Sequence, residues 1–143
     1  MSDDLPDAVN ETTGIVIGGA IKVHSIFGPG LLESASFVCL VHELRRAGAR
    51  VATQQPVLVN YDGVALDCAY RLDMVVNELV VVELKTIERF APIHTAQMIT
   101  YLKLTGLPVA LLINFNVRVL KDGIKRVINR DRARGDAPTS SVP

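Results

Sequence analysis

Apolar residues in the first third of the chain recur with the period of two amphipathic helices. Residues 10–27 form the first predicted helix, with Asn10 as its cap. The segment FGPG then interrupts the pattern, and residues 31–47 form a second predicted helix that ends before Gly48. Glu33 lies four residues before Phe37 on this helix, so the pattern places its carboxylate on the inward face. The apolar positions of that face are Phe37, Leu40, Val41 and Leu44.

The middle of the chain consists of strand-forming runs separated by turn residues. ARVATQQPVLVNYDG predicts a strand, an interruption at the proline, a second strand and a turn at Asp62-Gly63. VALDCAYRLDMVV and LVVVELKT predict a hairpin around residues 77–79.

The last third of the chain returns to a helix and then to strands. Residues 92–105 predict a helix that ends at Gly106, and LPVALLINF has the nearly all-apolar pattern of a buried strand. VRVLKDGIKRVIN predicts a short hairpin with an Asp-Gly turn. This order of elements predicts an α/β domain with a mixed central β-sheet flanked by helices.

Composition divides the chain into three parts. With 143 residues, 49% of them hydrophobic, it is long enough for one domain with a core. We expect an acidic tail at residues 1–9, the domain at residues 10–129 and a disordered tail at residues 130–143, where Pro, Ser, Asp and Arg accumulate. The polar start and the lack of a long apolar run predict a cytoplasmic protein without a membrane segment. Cys39 and Cys68 have no metal-ligand spacing, and we expect buried free thiols.

Charge is balanced overall but uneven along the chain. The formal net charge is zero, and the basic residues concentrate in residues 118–134. Such a segment either contacts phosphates or is a solvated tail, and the sequence leaves both interpretations open.

The run RLDMVVNELVVVELK carries Asp73, Glu83 and Lys85 among its valines. Because strand side chains alternate, Glu83 and Lys85 share one face of the sheet. A two-residue turn would place Asp73 opposite Val82, whereas a three-residue loop at residues 77–79 places it opposite Glu83. We predict the three-residue loop, which brings two carboxylates together where they need a cation such as Mg²⁺. The alternative is a cross-strand salt-bridge cluster on an exposed face of the sheet.

A second polar group lies on the helix predicted at residues 92–105. His94, Gln97 and Tyr101 fall at i, i+3 and i+7 and therefore share one face. They are either part of the same site or the solvated side of a surface helix.

Four blocks carry a resemblance to a known group of proteins: VHSIFGPGLLESAS, LDCAYRLDMVV, VVVELKTIERFAPIHTAQMITYLKLTG and LLINFNVRVLKDGIKRVIN. Across about residues 14–129 the chain resembles the PD-(D/E)xK nuclease superfamily and, more narrowly, the GxxExxY family. The resemblance implies a restriction-endonuclease-like core whose metal ligands lie on the central hairpin. The chain departs from the family motif at Ser36, where a tyrosine is expected after Gly30 and Glu33.

The resemblance also implies a role for each candidate residue. Asp73, Glu83 and the Leu84 carbonyl would bind Mg²⁺, with Mn²⁺ as a substitute. Lys85 would orient the attacking water or stabilise the phosphorus centre, and Glu33 would orient a metal-bound water or support a second ion. Gln97 would position Lys85 or the substrate backbone, with Tyr101 as its neighbour.

The implied function is therefore hydrolysis of phosphodiester bonds in nucleic acid, with DNA favoured over RNA. The alternative is a non-catalytic module of the same fold that binds nucleic acid or protein. Whether the chain forms a homodimer is left open.

Overall fold

The computed structural model of the protein describes residues 5–133, apart from the side chains of residues 67–69 and 132–133. The elements in chain order are α1 (Asp7–Phe27), α2 (Glu33–Arg46), β1 (Val51–Tyr61), β2 (Val64–Val76), β3 (Val80–Lys85), α3 (Pro92–Thr105), β4 (Val109–Asn114), β5 (Ile124–Ile128) and α4 (Arg130–Ala133). They form a five-stranded sheet in the order β1-β2-β3-β4-β5.

The sheet is mixed, as predicted. Strands β3 and β4 pair in parallel, and the other neighbouring strands pair antiparallel. Parallel neighbours need a crossover connection, and α3 supplies it between β3 and β4. The near-continuous apolar runs of β3 and β4 follow from their central place, where both faces of the sheet are covered.

Helices cover the two faces of the sheet separately. On one face, α1 and α2 pack through residues such as Val16 and Leu40 against Val82 and Leu111. On the other face, α3 packs through Met98 and Leu102 against a second cluster, which includes Val81, Ala110 and Leu112. Successive residues of β3 and β4 therefore belong to different cores, as alternation along a strand requires.

The first two helices begin at other residues than the sequence predicted. Helix α1 begins at Asp7, directly after Pro6, and Val9 is already buried at 1% exposure. Asn10 therefore does not cap the helix, and its side-chain amide donates to the Leu5 carbonyl. Residues 31 and 32 precede α2, which begins at Glu33, and Gly48 follows the helix with φ of 91°.

The β1–β2 hairpin confirms one turn prediction and corrects another. Tyr61 pairs with Val64, so Asp62 and Gly63 form a two-residue turn, with φ values of 52° and 82°. The predicted interruption at the proline is wrong, because β1 continues through Pro56, which lies opposite Arg71. Strand β1 is at the edge of the sheet, where proline's missing N–H is tolerated.

The predicted hairpin around the Asp-Gly turn at residues 122–123 is also wrong. Residues Leu120–Gly123 form a 3-10 turn, and β5 pairs with β4 instead of with the preceding segment. Leu120 is buried in the α1 and α2 core, so this segment connects β4 to β5 beneath α1 and does not extend as a strand. Gly123 is required there, since an added Cβ would overlap the Asn114 carbonyl oxygen.

The chain keeps its order beyond the predicted end of the domain. Residues Arg130–Ala133 form α4, contrary to the prediction of disorder from residue 130. Asn129 anchors this end, because its side-chain amide donates to the carbonyls of Leu102 and Leu107 beside the end of α3. Of the predicted tails, residues 1–9 and 130–143, residues 1–4 and 134–143 lie outside the described residues, and residues 7–9 belong to α1. Cys39 is a free thiol partly buried against the core, and the side chain of Cys68 lies outside the description.

Candidate active site

The central feature of the site is a fork at which two neighbouring strands separate. Strand β2 pairs with β3 only through Met74, Val75 and Val76, then remains with β1, while β3 continues beside β4. Val76 pairs with Val80, which confirms the predicted three-residue loop, and the left-handed conformations of Asn77 and Glu78 allow it. Continuing the same register beyond Met74 and Val82 brings Asp73 opposite Glu83.

Asp73 and Glu83 cross-connect the strands at the fork through their side chains. Glu83 Oε1 accepts a hydrogen bond from the Asp73 N–H at 2.7 Å. Asp73 Oδ2 accepts one from the Leu84 N–H at 2.9 Å. Each carboxylate thus takes the place of a carbonyl in the interrupted ladder and keeps its second oxygen outside these two bonds. The two acidic groups are held beside each other by backbone geometry, which gives the site a rigid frame.

Burial makes the site unfavourable for two negative charges. Glu83 is only 6% exposed. Burial, followed by the charge of Asp73, raises the pKa of Glu83 to about 8. Burial also raises the pKa of Asp73, although the Leu84 N–H and the charge of Lys85 act against it. A bound cation would offset this repulsion and favour loss of the proton from Glu83.

Lys85 lies on the same face as Glu83 and is half-buried. Its charge lowers the pKa of both acids. Within residues 5–133 it makes no ion pair shorter than 4.0 Å, so it acts on them without direct contact. Its ammonium group is therefore not committed to either carboxylate.

Glu33 differs from the sequence prediction in orientation. Its side chain is exposed, whereas the inward face of α2 carries Ser36, Leu40 and Leu44. Glu33 is the first residue of the helix, one turn before the buried positions begin, which explains why it escapes the core. Its charge nevertheless raises the pKa of Glu83, so the start of α2 lies within electrostatic reach of the fork.

The polar residues of α3 have different surroundings. Tyr101 is partly buried, and its pKa is raised first by burial and then by the charge of Glu83. Gln97 lies one turn earlier on the same face, and within the described chain its side chain forms no hydrogen bond. His94 Nδ1 accepts the Ala91 N–H at 2.8 Å, so this histidine caps the helix. The face therefore brings Tyr101 near the acids, whereas His94 stabilises the helix start.

A family model for the PD-(D/E)XK nuclease superfamily matches residues 10–127, most of the chain and all of the fork. The chain belongs to the PD-(D/E)XK nuclease superfamily. Neither the search of curated proteins nor that of solved structures gave a match. Among the described helices of this superfamily member, none is long and apolar enough to cross a membrane.

The donor set of this superfamily member suits a hard divalent cation. In the described part of the chain, no three or more His, Cys, Asp or Glu side chains converge on one point. The fork offers two carboxylates, and the Leu84 carbonyl is the further ligand that the resemblance implies. Mg²⁺ needs only one or two protein carboxylates because it retains several waters. The residues present therefore fit Mg²⁺ better than Zn²⁺, which prefers nitrogen and sulfur ligands in a closed shell.

Asn114 is a supporting residue that the sequence interpretation missed. It is 2% exposed and lies beside Lys85 in the parallel β3–β4 register. Its side chain accepts the N–H groups of Ile87 and Asn116 and donates to the Ile87 carbonyl at 2.8 Å. It thereby fixes the segment that leaves β3 directly after Lys85. The available signal was a polar residue at the end of an otherwise apolar strand.

Tyr70 was also missed. It lies on β2 three residues before Asp73, and its ring packs against that of Tyr101 with centroids 5.5 Å apart. Only the tertiary contact between β2 and α3 reveals this pair.

The basic segment joins the folded domain as far as α4. A groove of about 260 Å³ between α3 and β5 is lined by Lys103, Lys125, Arg126 and Arg130, together with Asp131. The Arg126 guanidinium donates to the Asn10 side chain at 2.9 Å, so part of this charge supports the fold. Contact of these residues with phosphates stays a prediction.

Proposed function

We propose that this superfamily member is a Mg²⁺-dependent nuclease that hydrolyses phosphodiester bonds of DNA or RNA, with Mn²⁺ as a substitute. One observation carries the proposal: two carboxylates on separating strands are held side by side, with a lysine on the same face. Superfamily membership and this fork agree, because a nuclease must hold a cation and an attacking water close to a scissile phosphate.

Each residue of the chain then has a specific task. Asp73, Glu83 and the Leu84 carbonyl would hold the ion, which supplies Lewis-acid polarisation of the phosphoryl group and activation of water. Lys85 would orient the attacking water or stabilise charge that develops on the phosphoryl oxygens. It suits this task because its ammonium group forms no close ion pair in the described chain.

The remaining residues would act around this centre. Glu33, exposed at the start of α2, would orient a water bound to the ion or support a second ion. Gln97 would position Lys85 or the substrate backbone, and Tyr101 would close the side of the site next to α3.

Two observations favour the alternative, a non-catalytic module that binds nucleic acid or protein. The Asp73 and Glu83 hydrogen bonds hold the fork together without an ion. Ser36 replaces the tyrosine of the GxxExxY motif and is fully buried, so no aromatic ring reaches from that position to a substrate. Metal binding without turnover is the outcome expected of such a module.

A cleavage assay on plasmid DNA, single-stranded DNA and RNA, with Mg²⁺, Mn²⁺ or EDTA, tests the proposal. We expect metal-dependent cleavage by the unmodified protein and its loss in Asp73→Asn, with binding of the metal followed by calorimetry. Asp122→Asn is the matched control, because it makes the same change at an exposed residue in the 3-10 turn. Equal cleavage by Asp73→Asn and the unmodified protein contradicts the catalytic role of the fork.

A further inference from the structure

Tyr70 and Tyr101 form an aromatic pair at the side of the acidic fork. Their ring centroids are 5.5 Å apart and their planes are inclined by 65°, the edge-to-face arrangement that aromatic rings favour. Tyr101 packs against the α3 core, whereas Tyr70 is 43% exposed. Tyr101 thus restrains the Tyr70 ring and leaves much of it open to solvent.

The pair adjoins the reactive centre in two independent ways. Along β2, Tyr70 lies three positions before Asp73, which is a distance of about 10 Å in an extended strand. From α3, the charges of Glu83 and Asp73 both raise the pKa of Tyr101 after the larger effect of burial. A nucleotide adjoining a phosphate held at the fork is therefore within reach of the Tyr70 ring.

We propose that Tyr70, restrained by Tyr101, stacks on an unpaired base next to the scissile phosphate and makes single-stranded nucleic acid the preferred substrate. The inference rests on the proposed nuclease function and names its substrate class. In a duplex the faces of each base are covered by its neighbours, so a tyrosine ring can stack only on a base that has left the helix. The Tyr70 ring is exposed, whereas Glu83 is buried, so a strand whose bases are unstacked could place a base on the ring while its phosphate lies at the fork.

The size of the effect follows from known base–aromatic contacts. Removing one such contact weakens binding of a single strand by about fivefold to 150-fold. Stacking tolerates any base because every base has a π-face, so we expect little dependence on sequence.

Fluorescence anisotropy of a labelled oligonucleotide of roughly 12 nucleotides tests the inference. The oligonucleotide is added, as a single strand or as a duplex, to full-length protein that carries Asp73→Asn. Tyr70→Leu keeps apolar bulk against Tyr101 but removes the aromatic face, whereas Tyr70→Phe keeps the face. Tyr61→Ala is the matched control, because Tyr61 is 73% exposed on the same hairpin and belongs to no aromatic pair in the described chain.

We expect Tyr70→Leu to weaken single-strand binding by at least fivefold, with near-normal binding by Tyr70→Phe and Tyr61→Ala. An oligonucleotide that contains 2-aminopurine should lose fluorescence on binding to the protein with Tyr70 intact. It should keep its fluorescence with Tyr70→Leu. The inference is overturned if Tyr70→Leu binds the single strand as tightly as the protein with Tyr70 intact. It is also overturned if Tyr70→Phe loses as much single-strand affinity as Tyr70→Leu.

Cleavage by the protein with Asp73 intact separates this inference from the proposed function. If Tyr70→Leu cleaves single strands as well as the protein with Tyr70 intact, only the stacking role is contradicted. If Tyr70→Leu loses single-strand binding but the unmodified protein cleaves no nucleic acid, the stacking role is supported and the proposed nuclease function is contradicted.

Discussion

Replacing Glu83 by glutamine should remove most of the pH dependence of stability of the metal-free protein. Glutamine has nearly the same shape, and its carbonyl oxygen can still accept the hydrogen bond from the Asp73 N–H. It cannot ionise, so the change isolates the free energy of placing a carboxylate charge in the fork.

The pKa of Glu83 gives the sign and the size of the effect. In the folded protein this pKa is raised from 4.5 to about 8, chiefly by burial. Between these two pH values the folded protein keeps a proton that the unfolded chain has lost. The free energy of unfolding therefore falls as pH rises through this window, and little further change comes from Glu83 above it.

The magnitude is a large part of the stability of a domain. Each tenfold change in proton affinity corresponds to about 1.4 kcal/mol, so the rise to about 8 corresponds to roughly 4–5 kcal/mol at pH 9. Small domains have total free energies of unfolding of about 5–15 kcal/mol. The metal-free protein should therefore be far less stable at pH 9 than at pH 5, and Glu83→Gln should recover the difference.

Urea denaturation in EDTA at several values between pH 5 and pH 9 measures this effect. The midpoints of the unmodified protein and Glu83→Gln should agree near pH 5 and differ by on the order of 2 M at pH 9. Asp122→Asn, at an exposed carboxylate, should follow the unmodified protein throughout. Parallel curves for Glu83→Gln and the unmodified protein from pH 5 to pH 9 would refute the raised pKa of Glu83.

Three further predictions concern the ion, the loop after β3 and the glycines. Mg²⁺ should raise the urea midpoint of unfolding at pH 8. Its binding should also release protons, which calorimetry in two buffers measures. Neither effect should appear in Asp73→Asn. Asn114→Ala should lower the free energy of unfolding by about 1–3 kcal/mol in urea, because the part-buried Ile87 N–H loses its partner and the Ile87 carbonyl keeps only the longer bond from Asn116. Gly18→Ala should raise thermal stability by up to about 1 kcal/mol, since nothing lies within 4 Å of the added Cβ in α1. Gly123→Ala should lower it, because the Cβ would overlap the Asn114 carbonyl. A melting temperature of Gly18→Ala below that of the unmodified protein, or of Gly123→Ala at or above it, would contradict the respective expectation.

Local sequence patterns were sufficient where residues close together in the chain determine the conformation. Helix α3 has the predicted bounds, because Pro92 starts it and Gly106, with φ of 71°, ends it. The three-residue loop and the opposition of Asp73 and Glu83 were also predictable, because a two-residue turn would place the two acids on opposite faces and a three-residue loop places them on one face. These features depend on residues close together in the chain.

Predictions failed where a distant partner decides the conformation. Residues Leu120–Gly123 include an Asp-Gly pair that is typical of a hairpin turn. Strand β5 pairs instead with the buried strand β4, which stabilises it more than a local hairpin would. Glu33 has the spacing of an inward residue, yet the buried part of α2 begins one turn later, which only the position of the sheet determines.

The amino-acid sequence by itself therefore determined the mixed α/β sheet, the hairpin register and the identity of the acidic pair, because each follows from periodicity within one or two neighbouring elements. The tertiary structure decided that Glu83 is buried and holds its proton to about pH 8, that Asn114 secures the segment after Lys85, and that Tyr70 meets Tyr101. These properties depend on desolvation and contact between β2, β3, α3 and β4, whose side chains meet only after the whole domain has packed.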